Sequence, residues 1–251
     1  MPSFLPIQSF RVHDHLNPVV WDDDGQMKPP VREHLMDIAE RFRDHLGVDV
    51  KVRDVWLTGS LANYNWSQYS DVDLHLLLQF KDVDEDEDLV RELMLAKKDL
   101  WNDRHDVRIG PFDVELYAQD VDEPHEATGV YSVWNNKWLR KPSLERPKID
   151  VRSVTRKAQQ AMRMIDGVLD DATCGHDCLD HAMERIKKMR QCGLDEGGEY
   201  SVENLAFKLL RRNGYLEKLA EQRGLRLDEE LSLTSRVARA WLLGIAKGAR
   251  G

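Results

Sequence analysis

The chain has 251 residues, of which 41% are hydrophobic and 32% charged, and a formal net charge of −9. That length buries a core without disulfide or metal staples, and at about 150 residues per domain it predicts one to two domains. The balance excludes wholesale disorder and disfavours a protein whose main work is coating nucleic acid, which needs excess Lys and Arg. No apolar run approaches the roughly 18 residues of a membrane span, so no membrane partner is expected. The segment MPSFLPIQSF lacks a basic stretch followed by a long apolar one, so no secretory signal is expected either. Cys174, Cys178 and Cys192, an odd number, fit a reducing compartment better than a disulfide framework, which points to the cytoplasm.

Residues 1–30 are rich in breakers, with Val19, Val20 and Trp21 between them, and read as an arm lying on the body. Pro29-Pro30 opens a helix whose Leu35, Ile38, Ala39, Phe42 and Leu46 recur at helical spacing, and Gly47 stops it. VDVKVRDVWL predicts a strand ending at Thr58-Gly59-Ser60, and DVDLHLLL a second strand after a loop. The acidic run 82–88 suits a solvated helix N-terminus. Two short strands follow, around Val107–Ile109 and Phe112–Ala118, hinged by Gly110-Pro111. Beyond about residue 125 the spacing turns helical almost to the end, with Ser201 placed as an N-cap. The expected fold class is α+β: an arm at 1–30, a small mixed-sheet core at 31–125 with helices on one face, and a helical C-terminal lobe at 126–251.

The chemistry-bearing pattern is Gly59-Ser60, ten residues, then Asp71-Val72-Asp73. Alternation along a strand puts Asp71 and Asp73 on one face, about 7 Å apart. Two carboxylates aimed into one space repel unless a cation lies between them, and paired Mg²⁺ or Mn²⁺ ions with oxygen ligands form a known clamp for phosphoryl displacement. Gly59 lets backbone approach closely, and Ser60 begins a turn whose N–H groups suit phosphate oxygens. A third carboxylate is wanted, and Asp113 and Glu115 share one face of their strand. Glu115, flanked by apolar residues, is the choice as metal ligand or general base, and Asp113 is expected to face solvent.

These residues resemble the nucleotidyltransferase superfamily of DNA polymerase β, which has a short mixed sheet, a Gly-Ser turn, a paired acidic motif and a third acidic residue on a later strand. The stretches NPVVWDDDGQMKPPVREHLMDIAERF, LTGSLANYNWSQYSDVDLHLLL, GPFDVELYAQD, TGVYSVWNNKW and SVENLAFKLLRRNGYLEKL are more similar still to uncharacterised nucleotidyltransferase-like proteins of tailed phages and bacteria. Many superfamily members carry Asp where this chain has Glu115. The resemblance implies transfer of a nucleoside monophosphate from an NTP, ATP being the first choice, to an acceptor hydroxyl with release of pyrophosphate. The alternative is a non-catalytic nucleotide-binding regulatory module or an RNA-binding module.

Asn63 could touch base or ribose or simply form the turn, and Lys208 and Arg211 are candidate phosphate contacts. His75 continues the Asp71 and Asp73 face and is expected to be satisfied by its neighbours. Cys174, His176, Cys178 and His181 offer four zinc ligands, but they crowd into eight residues, which suits a packed helix better. Residues 137–163 carry nine Lys or Arg against two acidic residues. That concentration points towards RNA or another phosphorylated molecule as acceptor.

Overall fold

The computed structural model describes residues 7–125 and 127–232. They fall into two compact units, one from Ile7 to Arg146 and one from Pro147 onward. The fold is α+β, with a mixed sheet in the first unit and helices alone in the second.

Helix α1 (Pro29–Leu46) starts on its proline pair, buries Leu35, Ile38, Ala39, Phe42 and Leu46, and stops at Gly47. Strands β1 (Asp54–Thr58) and β2 (Val72–Leu78) run antiparallel. Helix α2 (Glu87–Arg104) is capped by Asp86, whose carboxylate accepts from the Leu89 N–H. It serves as the crossover that lets β4 (Phe112–Asp120) run parallel to β2. The short β3 (Arg108–Ile109) pairs with the start of β4, and β5 (Val130–Ser132) and β6 (Lys137–Arg140) extend the other side. Among the described residues, six strands form one sheet in the order β3-β4-β2-β1-β5-β6.

One sheet face is apolar. Val55, Leu57, Val72, Leu74, Leu76, Val114 and Leu116 pack with Leu35 and Phe42 of α1 and Val90 and Met94 of α2. Burial of this kind stabilises by about 25 cal/mol per Å² of apolar surface, and it sets the strand register. Asn102 covers the open edge of β4, since its side-chain amide exchanges two hydrogen bonds with the Leu116 backbone at 3.3 and 3.4 Å. The residues at alternate positions, Asp73, His75, Glu115 and Tyr117 among them, make the opposite and polar face.

Two expectations change. The strand expected across Val48–Leu57 begins only at Asp54, because β2 ends opposite it and leaves the earlier residues without a ladder partner. The boundary expected at 125/126 falls instead at Arg146/Pro147, because β5 pairs with β1 and β6 with β5. The arm does lie on the body: Leu16, Val20, Trp21 and Met27 belong to the core, and Trp21 stacks on Trp138 with ring centres 4.5 Å apart.

In the second unit, α3 (Val151–Asp170), α4 (His176–Gly197), α5 (Val202–Arg212) and α6 (Tyr215–Leu231) pack around Met162, Ile165, Leu179, Ile186, Leu210 and Leu219. Asp150 caps α3, and Ser201 caps α5 by accepting from the Asn204 N–H. The part of the expected lobe at 233–251 lies outside the described residues. The cysteine reading needs correction: Cys174 and Cys178 are joined as a disulfide, and Cys192 is free and exposed. Four residues apart, Cys174 just before α4 and Cys178 in its first turn, they bring their Cα atoms to 5.4 Å, inside the span a disulfide bridges. Cysteine count therefore carries no argument about compartment. No helix among the described residues is long and apolar enough to cross a membrane.

Candidate active site

The carboxylates meet where β1 ends and β2 and β4 begin. Asp73 stands opposite Thr58 on β1 and opposite Glu115 on β4, so Asp73 and Glu115 are neighbours on adjacent strands of the polar face. Asp71 lies two residues earlier, just before β2, and the half-buried, buried alternation of 71–76 places it on the same side.

Gly59 follows β1 with φ 71° and ψ −158°, a region essentially reserved for glycine. It is also a close approach: a Cβ there would sit 1.8 Å from Asp73 Oδ2 and 2.9 Å from Asp73 Cγ. The Asp73 carboxylate thus lies directly on the bare Gly59 backbone. The turn beyond, Ser60–Ala62, is held from several sides. Ser60 donates its hydroxyl proton to Ser70 Oγ at 2.7 Å, and Ser70 Oγ accepts from the Ser67 N–H. Trp21 donates its indole N–H to the Leu61 carbonyl at 2.7 Å. Gly129 packs so tightly on Ala62 that a Cβ would fall 1.9 Å from the Ala62 carbonyl oxygen. Asn63 is occupied within this loop, donating to the Thr128 hydroxyl and accepting from the Tyr64 N–H.

Of the two candidate third carboxylates, Glu115 lies beside Asp73. Asp113 is exposed and ion-paired to Arg108, with Nε to Oδ1 2.7 Å. Glu115 accepts a hydrogen bond on Oε2 from the Tyr117 hydroxyl. Burial first, then that hydrogen bond and the charges of Glu115, Asp73 and Asp71, hold the Tyr117 phenol well above its ordinary range. All three carboxylates therefore project their potential onto one hydroxyl.

His75 lies under this cluster. Its Nδ1 is 2.8 Å from Gln119 Oε1 and its Nε2 3.1 Å from Thr58 Oγ1, an arrangement satisfied by the Nδ1–H tautomer. Burial, with a smaller push from His125, lowers its pKa to about 4, against the opposing Gln119 hydrogen bond. It is a neutral floor residue. Tyr117 and Ser70 are the residues of this site to which sequence reasoning gave no role. Tyr117 was findable, since it repeats the Glu115 face two positions on.

Lys208 and Arg211 belong to α5 of the second unit, where Lys208 is ion-paired to Glu199 at 2.9 Å. The carboxylate cluster is built wholly from the first unit. The sulfurs of Cys174 and Cys178 are bonded to each other, and His176 Nδ1 faces the Arg223 carbonyl, so these side chains do not gather as zinc ligands. A cleft of about 300 Å³ between α1 and the apolar sheet face is separate from the carboxylates, with Met36, Ala39, Val50, Val55 and Leu76 in its lining.

The donor set suits a hard divalent cation, being oxygen-only and anionic, with a backbone at Gly59 that leaves room no side chain would leave. Among the described residues, no three acidic, His or Cys side chains already close on a common point as ligands. Comparison with protein-family models, with curated proteins and with solved structures finds no match for this chain.

Proposed function

We propose that the chain is a metal-dependent nucleotidyltransferase of the DNA polymerase β type. It would move a nucleoside monophosphate from an NTP, ATP first, to an acceptor hydroxyl and release pyrophosphate. The observation that carries this reading is the seating of Asp73 on Gly59 with Glu115 beside it, which turns a Gly-Ser turn and three carboxylates into one site. Asp71, Asp73 and Glu115 would hold Mg²⁺ or Mn²⁺. Bound there, such cations would stabilise the charge that develops on the phosphoryl oxygens. Glu115 would accept the proton of the attacking hydroxyl. The turn after Gly59 would face the β- and γ-phosphates with its N–H groups, and Ser60 would exchange its bond to Ser70 for one to phosphate. An NTP-using enzyme of this kind belongs in the cytoplasm, that of the host if a phage encodes it.

Incubation with each α-labelled NTP and pools of acceptors, with and without Mg²⁺, tests the reading. Transfer of label that needs Mg²⁺ and disappears in Asp71→Asn and Asp73→Asn is the expected result. NTP binding without turnover would favour the regulatory alternative. RNA binding indifferent to both substitutions would favour the RNA-binding one.

A further inference from the structure

Glutamate has one more rotatable bond than aspartate, and a mobile carboxylate loses that freedom when it binds a cation. Glu115 is not left mobile. The Tyr117 hydroxyl donates to its Oε2, and the Tyr117 ring is itself fixed. One contact is a stack on His75, ring centres 4.8 Å apart and planes within 19°. Another is the Lys98 ammonium, 4.8 Å from the ring centre. His75 is anchored in turn by Thr58 and Gln119. Register supplies the logic: β2 sets Asp73 and His75 beside Glu115 and Tyr117, so the same pairing that joins the carboxylates also joins their support. Side chains held by a second layer of packed and hydrogen-bonded residues keep ligand geometry and raise affinity.

We propose that Tyr117 is a positioning residue: through its hydrogen bond it holds the Glu115 carboxylate beside Asp73 and so strengthens divalent-cation binding by Asp71, Asp73 and Glu115. This rests on the metal site of the function proposed above, and it accounts for a chain that uses Glu where much of the superfamily uses Asp.

The test is calorimetric titration of the full chain with Mn²⁺, for the wild type, Tyr117→Phe, Glu115→Gln and the double variant. Tyr117→Phe keeps the ring and its stack on His75. It should weaken Mn²⁺ binding about tenfold, the size of a lost hydrogen bond to a charged group. In the Glu115→Gln background the same change should alter affinity less than about twofold, because there is no carboxylate left to hold. A chain that keeps its hydroxyl carries the test independently of how Tyr117→Phe folds. The fluorine resonance of 3-fluorotyrosine at position 117 should move on Mg²⁺ addition in the wild-type background and stay still in Glu115→Gln. Equal Mn²⁺ affinity of wild type and Tyr117→Phe, an equal loss in both backgrounds, or an unmoved fluorine resonance overturns the inference and leaves the proposed function standing. A wild type that takes up no Mn²⁺, or takes it up unchanged in Asp73→Asn, removes the metal site and the inference with it.

Discussion

The Asp73 carboxylate occupies the place a Cβ at Gly59 would take, 1.8 Å from Oδ2, so no side chain at 59 can coexist with Asp73 in its present position. Position 59 therefore carries two separate constraints, one from the positive φ of 71° and one from space.

Gly59→Ala should fail on both. The backbone conformation alone costs roughly 1–3 kcal/mol for an L-residue, and relieving the overlap costs about 1–3 kcal/mol more. Because the obstacle is the head of a side chain rather than backbone, Asp73 can swing away, so the variant should fold while the site is spoiled. The expected outcome is a melting temperature several degrees lower and nucleotidyl transfer down at least ~10²-fold, the scale of a lost electrostatic contact in the transition state. Retained transfer in a folded Gly59→Ala protein would place the chemistry elsewhere.

Glu115 and Asp113 share a strand face but differ in company. Glu115 lies beside Asp73, whereas Asp113 is exposed and paired with Arg108 on the neighbouring strand. Glu115→Gln should cost about 10² in rate, the usual scale for a positioned base. Asp113→Asn should change rate little, since exposed ion pairs contribute little to either stability or geometry. The reverse order in steady-state assays would make Asp113 the third carboxylate.

His75 gives a pH prediction. Its folded pKa, about 4, lies below the ordinary 6.5, so between these values the unfolded chain binds a proton that the folded chain does not. Its contribution is fully present above pH 6.5 and is lost as pH falls towards 4, by on the order of 3 kcal/mol at about 1.4 per unit. Urea unfolding followed by tryptophan fluorescence suits this, because six of the seven tryptophans lie in the first unit. The fall in stability between pH 6.5 and 4.5 should be smaller in His75→Gln. An equal fall in both proteins would assign the acid sensitivity to other groups.

Much of this architecture is local and so is legible in the chain. The Pro29 start and Gly47 stop of α1, and the alternation that makes β2, are each written within a few residues. The proposed site rests on patterns equally local, Gly-Ser and Asp-x-Asp. What escapes is set by register between distant strands. Strands β5 and β6 have three and four residues, and their place in the sheet comes from pairing with β1 and with each other. The one local hint is Asn135-Asn136 between two apolar runs, with Asn136 at a positive φ of 53°. The bond from Tyr117 to Glu115 lies within one strand face and was within reach of the sequence. The stack of Tyr117 on His75 was not, because it depends on β2 and β4 pairing without a slip.

The basic stretch 137–163 divides between the two units, with Lys137 to Arg146 in the first and Lys148 to Arg163 in the second. Lys137 to Arg140 form β6, and Arg140 is engaged with the carbonyls of His125 and Ala127. Lys157, on α3, pairs with Glu203 at 2.7 Å and holds the Glu203 carboxyl below its usual range, so replacing it would strand a carboxylate. Arg152, Arg156 and Arg163 are exposed on the same helix and are the side chains to change. If the acceptor is RNA or another polyanion gripped by α3, replacing all three by Ala should raise the acceptor KM. The kcat at saturation should stay nearly constant, because only uniform binding energy is removed. The wild-type acceptor affinity should fall with salt, with a log–log slope of about 0.7 per phosphate contacted on a single strand, and the triple variant should show a shallower slope. Thermal stability should stay within about 0.5 kcal/mol, as expected for exposed helix positions. A small uncharged acceptor gives the opposite pattern, a flat salt dependence and an unchanged KM. Loss of NTP affinity alone would make these arginines triphosphate contacts and leave the polyanionic acceptor without support.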